Sequence, residues 1–261
     1  MEISFKGKTA LITGAAGAIG KGIAAEYCGN GAKVFITDIS PTGVDAAVKE
    51  LRNIGQCHGL AGDIATESDV IKIVDAAKKA FDGKIDILIN VAGIVGQGKV
   101  EDLKVDEWDK MFAVNCRGSF LLIKHVVPLM KQNKYGKIIN FSSKSGKTGS
   151  ALMSHYSAAK AAIIGFTQAL AYELADYKIN VNCICPGITE NTGVWSNVSA
   201  GYIQNLNLPR EEVVKKFSEK VPLKRLAAIK DVVAITAFLG SEGSDYMTGQ
   251  AVNITGGREM H

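Results

Sequence analysis

Thr13–Gly20 reads TGAAGAIG and lies between a short apolar run, Thr9–Thr13, and a helical pattern that begins near Gly20. Glycines let the backbone turn tightly and approach a ligand closely, and the free N–H groups at the start of a helix attract anions. At a strand-to-helix junction, such a loop is typical of proteins that bind the pyrophosphate of a dinucleotide. The alternative for this stretch is a purely structural turn.

The loop opens an alternation of short apolar runs and longer helical patterns that continues along the chain. Strands are predicted at Thr9–Thr13, Lys33–Asp38, Cys57–Gly62, Ile85–Asn90, Lys137–Phe141, Ile179–Cys185 and Gln250–Ile254. Helices are predicted at Gly20–Asn30, Thr42–Ile54, Glu67–Phe81, Val105–Gln132, Tyr156–Tyr177 and Asp231–Leu239. Continuous apolar strands are typical of a parallel sheet that is covered on both faces. The sequence therefore predicts an α/β fold: a single domain over residues 1–261 with a Rossmann-type doubly wound parallel sheet and helices on both faces.

Composition argues against several classes of protein. The chain has 261 residues, 47% of them hydrophobic, and its net charge of +4 comes from 30 basic and 26 acidic residues that are dispersed along the sequence. No charged block indicates nucleic-acid binding, and no apolar run approaches the roughly 18 residues of a membrane span. The five cysteines lack C-x-x-C spacing, which argues against a disulfide framework and a zinc site. Because the N-terminus has no signal-peptide pattern, we expect a soluble, cytoplasmic protein without a metal.

Two acidic residues follow predicted strands. Asp38 ends the second strand, 18 residues beyond Gly20, where a carboxylate can accept hydrogen bonds from both hydroxyls of an adenosine ribose and would repel a 2′-phosphate. The glycine loop contains no Arg or Lys, so both facts favour NAD over NADP. Asp63 could hydrogen-bond the adenine amino group, with Ile64 beside it. The alternative for both aspartates is a turn that caps the following helix.

The segment Asn90–Gly93 reads NVAG and ends the fourth predicted strand. Small residues at the carboxyl edge of a parallel sheet let the backbone lie close to a ligand. Together with the glycine loop, this segment gives the predicted cofactor-contacting positions Gly14, Gly17, Ile19, Gly20, Asn90, Ala92 and Gly93.

Tyr156 and Lys160 lie four residues apart in a predicted helix and share one face of it. An ammonium beside a phenol favours the phenolate, and a phenol whose pKa is drawn towards neutrality can exchange a proton with a carbonyl or hydroxyl oxygen. Ser143 comes thirteen residues before the tyrosine. Tyr-x-x-x-Lys spacing is common by chance, so the pair alone could also be part of an ordinary surface helix.

The T-G glycine loop, N-x-A-G, a mid-chain Asn, a Ser, Y-x-x-x-K and a P-G after the next strand all occur here in that order. Over nearly the whole chain, this set resembles the short-chain dehydrogenase/reductase family. The resemblance implies that Tyr156 exchanges the substrate proton and that Lys160 lowers the pKa of Tyr156 and binds the nicotinamide ribose. It implies that Ser143 hydrogen-bonds the substrate oxygen, in preference to Ser142, because the family's serine usually lies twelve or thirteen positions before the tyrosine.

The resemblance further implies that Asn115 holds a water molecule that links Lys160 to solvent, although by sequence alone Asn115 could equally be a helix-kink residue. The positions implied to lie near the nicotinamide carboxamide and diphosphate are Pro186, Gly187, Ile188 and Thr189. Two positions depart from the family pattern. Ala18 stands where the usual loop has glycine, a small change that we expect cofactor binding to survive. Thr255 stands where many relatives carry Asp, and no functional conclusion follows from it.

Within the family, Ser143–Ser150 resembles the corresponding segment of sorbitol-6-phosphate dehydrogenases, and other C-terminal segments resemble polyol dehydrogenases. Lys144 and Lys147 could pair with hydroxyls or a phosphate of a sugar, or they could be solvated loop lysines. The long connection 187–220 is expected to form a substrate loop or lid, or else a flexible surface insert. In it, Asn191 and Trp195 could wall the substrate pocket, although Trp195 could equally be lid core.

Motifs and resemblance together predict an NAD-dependent oxidoreductase that transfers hydride reversibly between NAD and a secondary alcohol or ketone, with a polyol, sugar or sugar phosphate as substrate. One alternative is a 3-oxoacyl-carrier-protein reductase, although that function normally prefers NADPH and a basic residue near the glycine loop. Another is a cofactor-binding protein that has lost its chemistry. The resemblance also implies a homotetramer, formed through the helix after Asn115 and the helix that carries Tyr156.

Overall fold

The structure, a computed structural model, describes residues 3–193, 195 and 209–261. Residues 1–2, 194 and 196–208, and the side chain of Arg210, lie outside the described part. The predicted substrate loop, 187–220, is therefore described only at its ends and at Trp195. Within the described part of the chain, no helix is both long and apolar enough to cross a bilayer.

The strands are β1 (Thr9–Thr13), β2 (Lys33–Thr37), β3 (Cys57–Gly59), β4 (Ile87–Asn90), β5 (Gly136–Phe141), β6 (Ile179–Pro186) and β7 (Ala251–Ile254). Across the described residues, these seven strands form one sheet in the order β3-β2-β1-β4-β5-β6-β7. Every pairing between neighbours is parallel. The predicted Rossmann-type doubly wound parallel sheet is confirmed.

The helices are α1 (Ala18–Gly29), α2 (Pro41–Leu51), α3 (Glu67–Ala80), α4 (Val105–Phe112), α5 (Gly118–Asn133), α6 (Lys144–Thr148), α7 (Ser154–Leu174), α8 (Arg210–Ser218) and α9 (Ile229–Gly240). They pack on both faces of the sheet. Because successive strand residues point to opposite faces, Ile12 of β1 packs with α1, α2 and α9, whereas Leu11 packs with α3, α5 and α7. All five residues of β1 are buried, as a strand covered on both faces requires.

The predicted helical stretch Val105–Gln132 is helical along its whole length, but it is not one regular α-helix. The residues Ala113–Arg117 form a π-helical turn between α4 and α5. A π turn locally widens the helical ladder, and such turns are frequent at functional sites. Here the Asn115 amide donates to the carbonyls of Ile94 and Met111, both at 3.0 Å. Hydrophobic periodicity does not report a change of this kind, because the apolar stripe continues through it.

In the described part of the chain, two α-helices lie outside the predicted elements. The short helix α6 begins directly after Ser143, whose hydroxyl accepts a hydrogen bond from the Ser145 N–H at 3.1 Å. The helix α8 lies within the predicted substrate loop. A five-residue helix and a strongly polar one carry too weak a periodic signal to be recognised in the sequence.

The strand order reverses between β1 and β4, and the loops after these two strands leave a crevice at the carboxyl edge of the sheet. Parallel α/β sheets bind ligands at such a switch point. The Thr13 hydroxyl accepts a hydrogen bond from the Ala92 N–H at 3.0 Å. This contact joins the glycine-rich loop to the segment after β4.

Candidate active site

The glycine-rich loop lies at the switch point, between β1 and α1. Gly14 has a φ of +65°, and a Cβ there would lie 2.8 Å from both Cα and N of Ala92, so only glycine fits. Ala18 is the first residue of α1, and the preceding Gly17 offers no side-chain cap. The first N–H groups of α1, and the positive end of its dipole, are thus left for a ligand. Ile19 and Gly20 lie in this first turn.

Asp38 follows β2 and is tied to the glycine loop. Its Oδ2 accepts a hydrogen bond from the Ala16 N–H at 3.1 Å, and its Oδ1 accepts one from the Ser40 N–H at 3.2 Å. The second bond belongs to the turn before α2, so the turn role left open by the sequence is real. Among the described residues, no Lys or Arg forms an ion pair with this carboxylate. The half-buried carboxylate is thus placed beside the loop without a cationic neighbour.

Asp63 and Ile64 lie in the turn before α3. The Oδ1 atom of Asp63 accepts a hydrogen bond from the Ala65 N–H at 2.9 Å, and its own N–H donates to Asp69. Ile64 is buried, and a Cβ at Gly118 would lie 2.6 Å from its Cδ1. Asp63 therefore has the turn role that the sequence left open, and Ile64 packs against Gly118 of α5.

The Asn90 side chain is engaged within the fold. Its Nδ2 donates to Asn140 Oδ1 at 2.9 Å, and Asn140 Nδ2 donates to Thr167 Oγ1 at 3.0 Å. This buried chain links β4, β5 and α7 beneath the crevice. The Asn90 side chain thus braces the elements that carry the site, and the predicted approach of its backbone to a cofactor stays a prediction.

Ser142 and Ser143 end the segment after β5, and both are buried. The Ser142 hydroxyl donates to the carbonyl oxygen of Lys160 at 2.7 Å. Ser143 lies close enough to the Tyr156 phenol to lower its pKa. Ser142 is thus committed to the backbone of α7, and Ser143 is the serine that reaches the tyrosine.

Tyr156 and Lys160 lie one turn apart in α7, and Lys160 Nζ is 5.8 Å from the centre of the Tyr156 ring. Burial raises the pKa of Tyr156 above its ordinary value, and the nearby Ser143 lowers it by less. The expected lowering of this pKa by Lys160 is therefore not seen. The ammonium instead donates to the Phe141 carbonyl at 2.9 Å.

Burial lowers the pKa of Lys160 to about 8, and the thiols of Cys116, Cys183 and Cys185 offset part of that effect. The lysine is 5% exposed, so its positive charge is held where water screens it little. The site therefore places, next to a buried phenol, an ammonium that water screens little and that loses its proton near pH 8.

Asn115 and Gly93 complete the surroundings of the lysine. A Cβ at Gly93 would lie 2.6 Å from Asn115 Oδ1 and 3.2 Å from Lys160 Nζ. Both atoms therefore lie against the Gly93 backbone, where there is no room for a side chain. The Asn115 Oδ1 atom is buried and has no hydrogen-bond partner. Buried acceptors are normally paired, and this one is free to accept a hydrogen bond from water or a ligand. The π-helical turn shows the irregularity that the sequence left open at Asn115, and its role in holding a water molecule stays a prediction.

The segment after β6 crosses the same edge of the sheet. The Gly187 N–H donates to the Ile254 carbonyl at 2.9 Å, and the Ala227 N–H donates to the Ile188 carbonyl at 3.0 Å. The Thr189 hydroxyl donates to the Gly187 carbonyl at 3.4 Å. The backbone that follows Pro186, the last residue of β6, is thus hydrogen-bonded to β7 on one side and to the segment before α9 on the other.

The four predicted substrate residues do not share one surface. Trp195 is 2% exposed and packs with Val213, Leu226 and the ring of Phe217, so the lid-core alternative is what the structure shows. Asn191 is exposed, with a φ of +58°. Lys147 is half-buried in α6. Lys144 faces the C-terminal segment, where its Nζ lies 3.9 Å from Glu259 Oε1.

Sequence reasoning did not assign a role to His155, and the structure buries it. Its Nδ1 atom has no partner, and burial lowers its pKa. A Cβ at Gly96 would lie 2.7 Å from its Nε2, which places the ring beneath the segment after β4. No sequence signal distinguishes such a buried ring from an exposed one beside a catalytic tyrosine.

These residues fit a nicotinamide dinucleotide on structural grounds. The uncapped start of α1 suits a pyrophosphate, and the carboxylate of Asp38 suits a ribose diol. The glycine cradle at Gly93 and the unpaired Asn115 Oδ1 leave polar atoms open beside Lys160. Among the described residues, no three His, Cys, Asp or Glu side chains are grouped to hold a metal ion.

A doubly wound sheet with a glycine-rich loop and a buried serine, tyrosine and lysine at one edge defines an α/β oxidoreductase. The sequence model of the short chain dehydrogenase family matches residues 8–202. A 3-oxoacyl-[acyl-carrier-protein] reductase from Buchnera aphidicola is 37% identical over 97% of this chain and 98% of its own. A sorbitol dehydrogenase from Cereibacter sphaeroides is 34% identical over 97% of this chain and 98% of its own.

Among solved structures, NAD+-bound xylitol dehydrogenase superimposes with a TM-score of 0.92 at 30% identity, over 97% of this chain and 99% of that one. The chain belongs to the short-chain dehydrogenase family. It is a dehydrogenase or reductase that acts on CH–OH groups.

Proposed function

We propose that the protein is an NAD-dependent oxidoreductase that interconverts a secondary alcohol and a ketone, with a polyol, sugar or sugar phosphate as substrate. The observation that carries the proposal is the meeting of Ser143, Tyr156 and Lys160 in one buried site beside the glycine-rich loop. The chain forms one domain over residues 1–261, with the connection 187–220 as its substrate loop.

The side chains divide the proton chemistry between them. Tyr156 takes the hydroxyl proton of the alcohol, or returns it to the ketone oxygen, and Ser143 donates a hydrogen bond to the same oxygen as its charge changes. When bound, the nicotinamide of the cofactor would accept or donate the hydride. Lys160 holds the nicotinamide ribose and keeps its ammonium near the Tyr156 ring. Asn115 Oδ1 accepts a hydrogen bond from a water that links Lys160 to solvent.

Asp38 supports NAD as the cofactor. A carboxylate beside the glycine loop accepts hydrogen bonds from ribose hydroxyls, and it repels the 2′-phosphate of NADP at close range. No described Lys or Arg pairs with it. The cofactor-contacting residues that we propose are Gly14, Gly17, Ile19, Gly20, Asp38, Ala92, Gly93, Tyr156, Lys160, Pro186, Gly187, Ile188 and Thr189, with Asp63, Ile64 and the backbone of Asn90 beside them.

A polyol substrate is supported by the sorbitol and xylitol dehydrogenases among the similar proteins. The test is a dehydrogenase screen with NAD over polyols, sugar phosphates and simple secondary alcohols, read as NADH absorbance. We expect one polyol or sugar class to be oxidised far faster than simple alcohols. Uniformly absent turnover, with NADH still bound tightly, would instead identify a cofactor-binding protein without chemistry.

A second candidate, 3-oxoacyl-carrier-protein reductase, is favoured by the 37% identical relative of that activity. The two candidates differ in cofactor and in substrate. Consumption of NADH and NADPH should be compared on an acetoacetyl thioester and on fructose. NADH-dependent reduction of fructose supports the polyol proposal, and NADPH-dependent reduction of the thioester supports the second candidate.

We further propose a cytoplasmic homotetramer. Phe120 of α5 is 45% exposed and lies 6.4 Å, centre to centre, from the ring of Phe166 in α7. Exposed aromatic surface on these helices suits burial against a second copy. All five cysteines are free thiols, which suits a reducing compartment. Light scattering at micromolar concentration should give a tetramer, and a monomer there would refute this assembly.

A further inference from the structure

A cavity of about 170 Å³ lies beside the candidate site, between the segment after β6 and the C-terminal segment. Its apolar wall contains Ile188, Val221 and Leu223, and Lys144 and Arg258 supply charged groups at its edge. The volume is more than ten times the roughly 10–15 Å³ that a single water needs. The cavity therefore has room for a group of several heavy atoms.

Positive charge exceeds negative charge at one end of the cavity. Lys144 and Arg258 lie near each other, and Lys220 is close enough to repel the Lys144 ammonium. The carboxylate nearest to Lys144 and Arg258 is that of Glu259, whereas Asp231, the acid that lines the cavity, is paired bidentately with Arg225. Lys144 and Arg258 thus share one carboxylate in a largely buried place, where charges are screened less than in bulk water.

The cations are poorly paired within the protein. Glu259 Oε1 lies 3.9 Å from Lys144 Nζ and 3.4 Å from Arg258 Nε, whereas charge-assisted hydrogen bonds are about 2.7–2.9 Å long. The side chains of Lys144 and Glu259 are only 15% and 7% exposed. The second carboxylate oxygen, Oε2, is buried without a partner. Burial lowers the pKa of Lys144, Arg258 lowers it further, and Glu259 offsets part of that effect, so the single carboxylate leaves the charge of the two cations only partly neutralised.

The cavity adjoins the reaction site through the chain itself. Lys144 directly follows Ser143, so their Cα atoms lie about 3.8 Å apart, and Gly187 and Ile188 line the cavity wall. The pocket and the candidate reaction site are therefore joined by Ser143–Lys144 on one side and by the segment after β6 on the other.

We propose that the pocket between Lys144 and Arg258 binds an anionic group of the substrate, a carboxylate or a phosphate, while the carbinol carbon lies at Tyr156. This inference rests on the proposed oxidoreductase function and specifies its substrate as an anionic polyol. Glu259 competes with the anionic group of the substrate for Lys144 and Arg258. Only an anionic substrate can take its place, so the pocket distinguishes neutral from anionic substrates by charge.

The test compares glucitol, glucitol 6-phosphate and gluconate with NAD, using Lys144→Met, Arg258→Gln and Glu259→Gln. Loss of one charge-assisted contact should raise KM for the preferred anionic substrate about 10- to 100-fold in the first two variants. The value of kcat/KM for glucitol should fall less than that for the anionic substrate, because glucitol carries no charge for Lys144 or Arg258 to contact. Glu259→Gln should lower KM for the anionic substrate, the opposite sign.

Lys224→Met is the matched control, since Lys224 donates to the Glu219 carbonyl at 3.0 Å and does not line the cavity. Lys144→Arg should retain the anionic preference, which separates lost charge from misfolding. Preference for glucitol 6-phosphate or for gluconate identifies the group as phosphate or carboxylate. Oxidation of glucitol as efficient as that of both anionic substrates would overturn the pocket assignment and leave the proposed function intact.

Failure of the proposed function gives a different result, namely no turnover of any of the three. Calorimetry then tests the pocket directly, by titrating glucitol 6-phosphate into the protein with NADH present. Binding that Lys144→Met loses and Lys144→Arg keeps supports the pocket. Equal binding by wild type and Lys144→Met, or no binding by either, overturns it.

Discussion

The Ser142 hydroxyl donates to the backbone carbonyl of Lys160 at 2.7 Å, so Ser142 anchors the turn of α7 that carries the lysine. Its neighbour Ser143 instead meets the phenol of Tyr156. Two adjacent serines thus have separable tasks, one in holding α7 and one in contacting the reacting groups.

That separation predicts opposite profiles for two alanine variants. Ser143→Ala should lower kcat about 10²- to 10³-fold, as loss of one donor to a developing oxyanion does, with little change in stability. Ser142→Ala should lower the free energy of unfolding by about 1–2 kcal/mol, because a buried hydrogen bond is lost. Steady-state kinetics and urea unfolding on both variants check this, and an equal kcat for the two would contradict it.

Cofactor choice should depend on Asp38. We expect wild type to prefer NAD over NADP by about 100-fold or more in kcat/KM, since a carboxylate beside a 2′-phosphate costs several kcal/mol when partly shielded from water. Asp38→Asn keeps an acceptor for the Ala16 N–H but removes the charge, and should reduce that preference at least about tenfold. The ratio of the two kcat/KM values is the measurement. A preference that survives in Asp38→Asn would show that another group selects the cofactor.

Gly14 should be intolerant of a side chain. Gly14→Ala adds a Cβ 2.8 Å from the backbone of Ala92 at a φ of +65°, so we expect a loss of several kcal/mol and weak NADH binding. Gly83→Ala is the matched control, because Gly83 also has a positive φ but open space around its Cβ position. The control should lose only about 1–2 kcal/mol. Similar losses in both variants, by thermal unfolding and NADH fluorescence, would refute the steric argument.

Lys160 should make stability depend on pH in a defined window. Its folded-state pKa of about 8 lies below the ordinary value of 10.5. Between these pH values, the unfolded state binds more protons, so the wild-type free energy of unfolding rises with pH. Lys160→Met lacks this slope, and its stability relative to wild type should fall by up to about 3 kcal/mol from pH 8 to 10.5. The free energies of unfolding of both proteins should be measured by urea unfolding at several pH values in that range. A constant difference between wild type and Lys160→Met would contradict the lowered pKa.

The sequence predicted the architecture because its evidence is local. Each buried strand is a short apolar run, and the glycine-rich loop stands at a strand-to-helix junction, so the sheet and its switch point follow from patterns a few residues long. The roles of Ser142 and Ser143 could be separated by spacing within a resemblance, but their hydrogen bonds could not, because they depend on packing between β5 and α7.

Other features depend on contacts that sequence patterns do not record. The π-helical turn at Asn115 interrupts a stripe that reads as one helix. The burial of Trp195 depends on α8, an element too polar to predict. The pKa of Tyr156 is set chiefly by burial. The i, i+4 spacing of Tyr156 and Lys160 carries no information about burial. The pairing of Lys144 with Glu259 joins residues far apart in the chain.

The central claim is that Tyr156 carries the proton in a cofactor-dependent oxidation of an alcohol. Tyr156→Phe removes only the hydroxyl, and the ring remains to fill its buried place. Single-turnover oxidation with NAD, alongside NADH binding by fluorescence, tests the claim most directly. We predict a loss of about 10³-fold or more in the rate of NADH formation, with the NADH dissociation constant changed less than about threefold. A Tyr156→Phe variant that forms NADH at a rate near that of wild type would contradict the assignment.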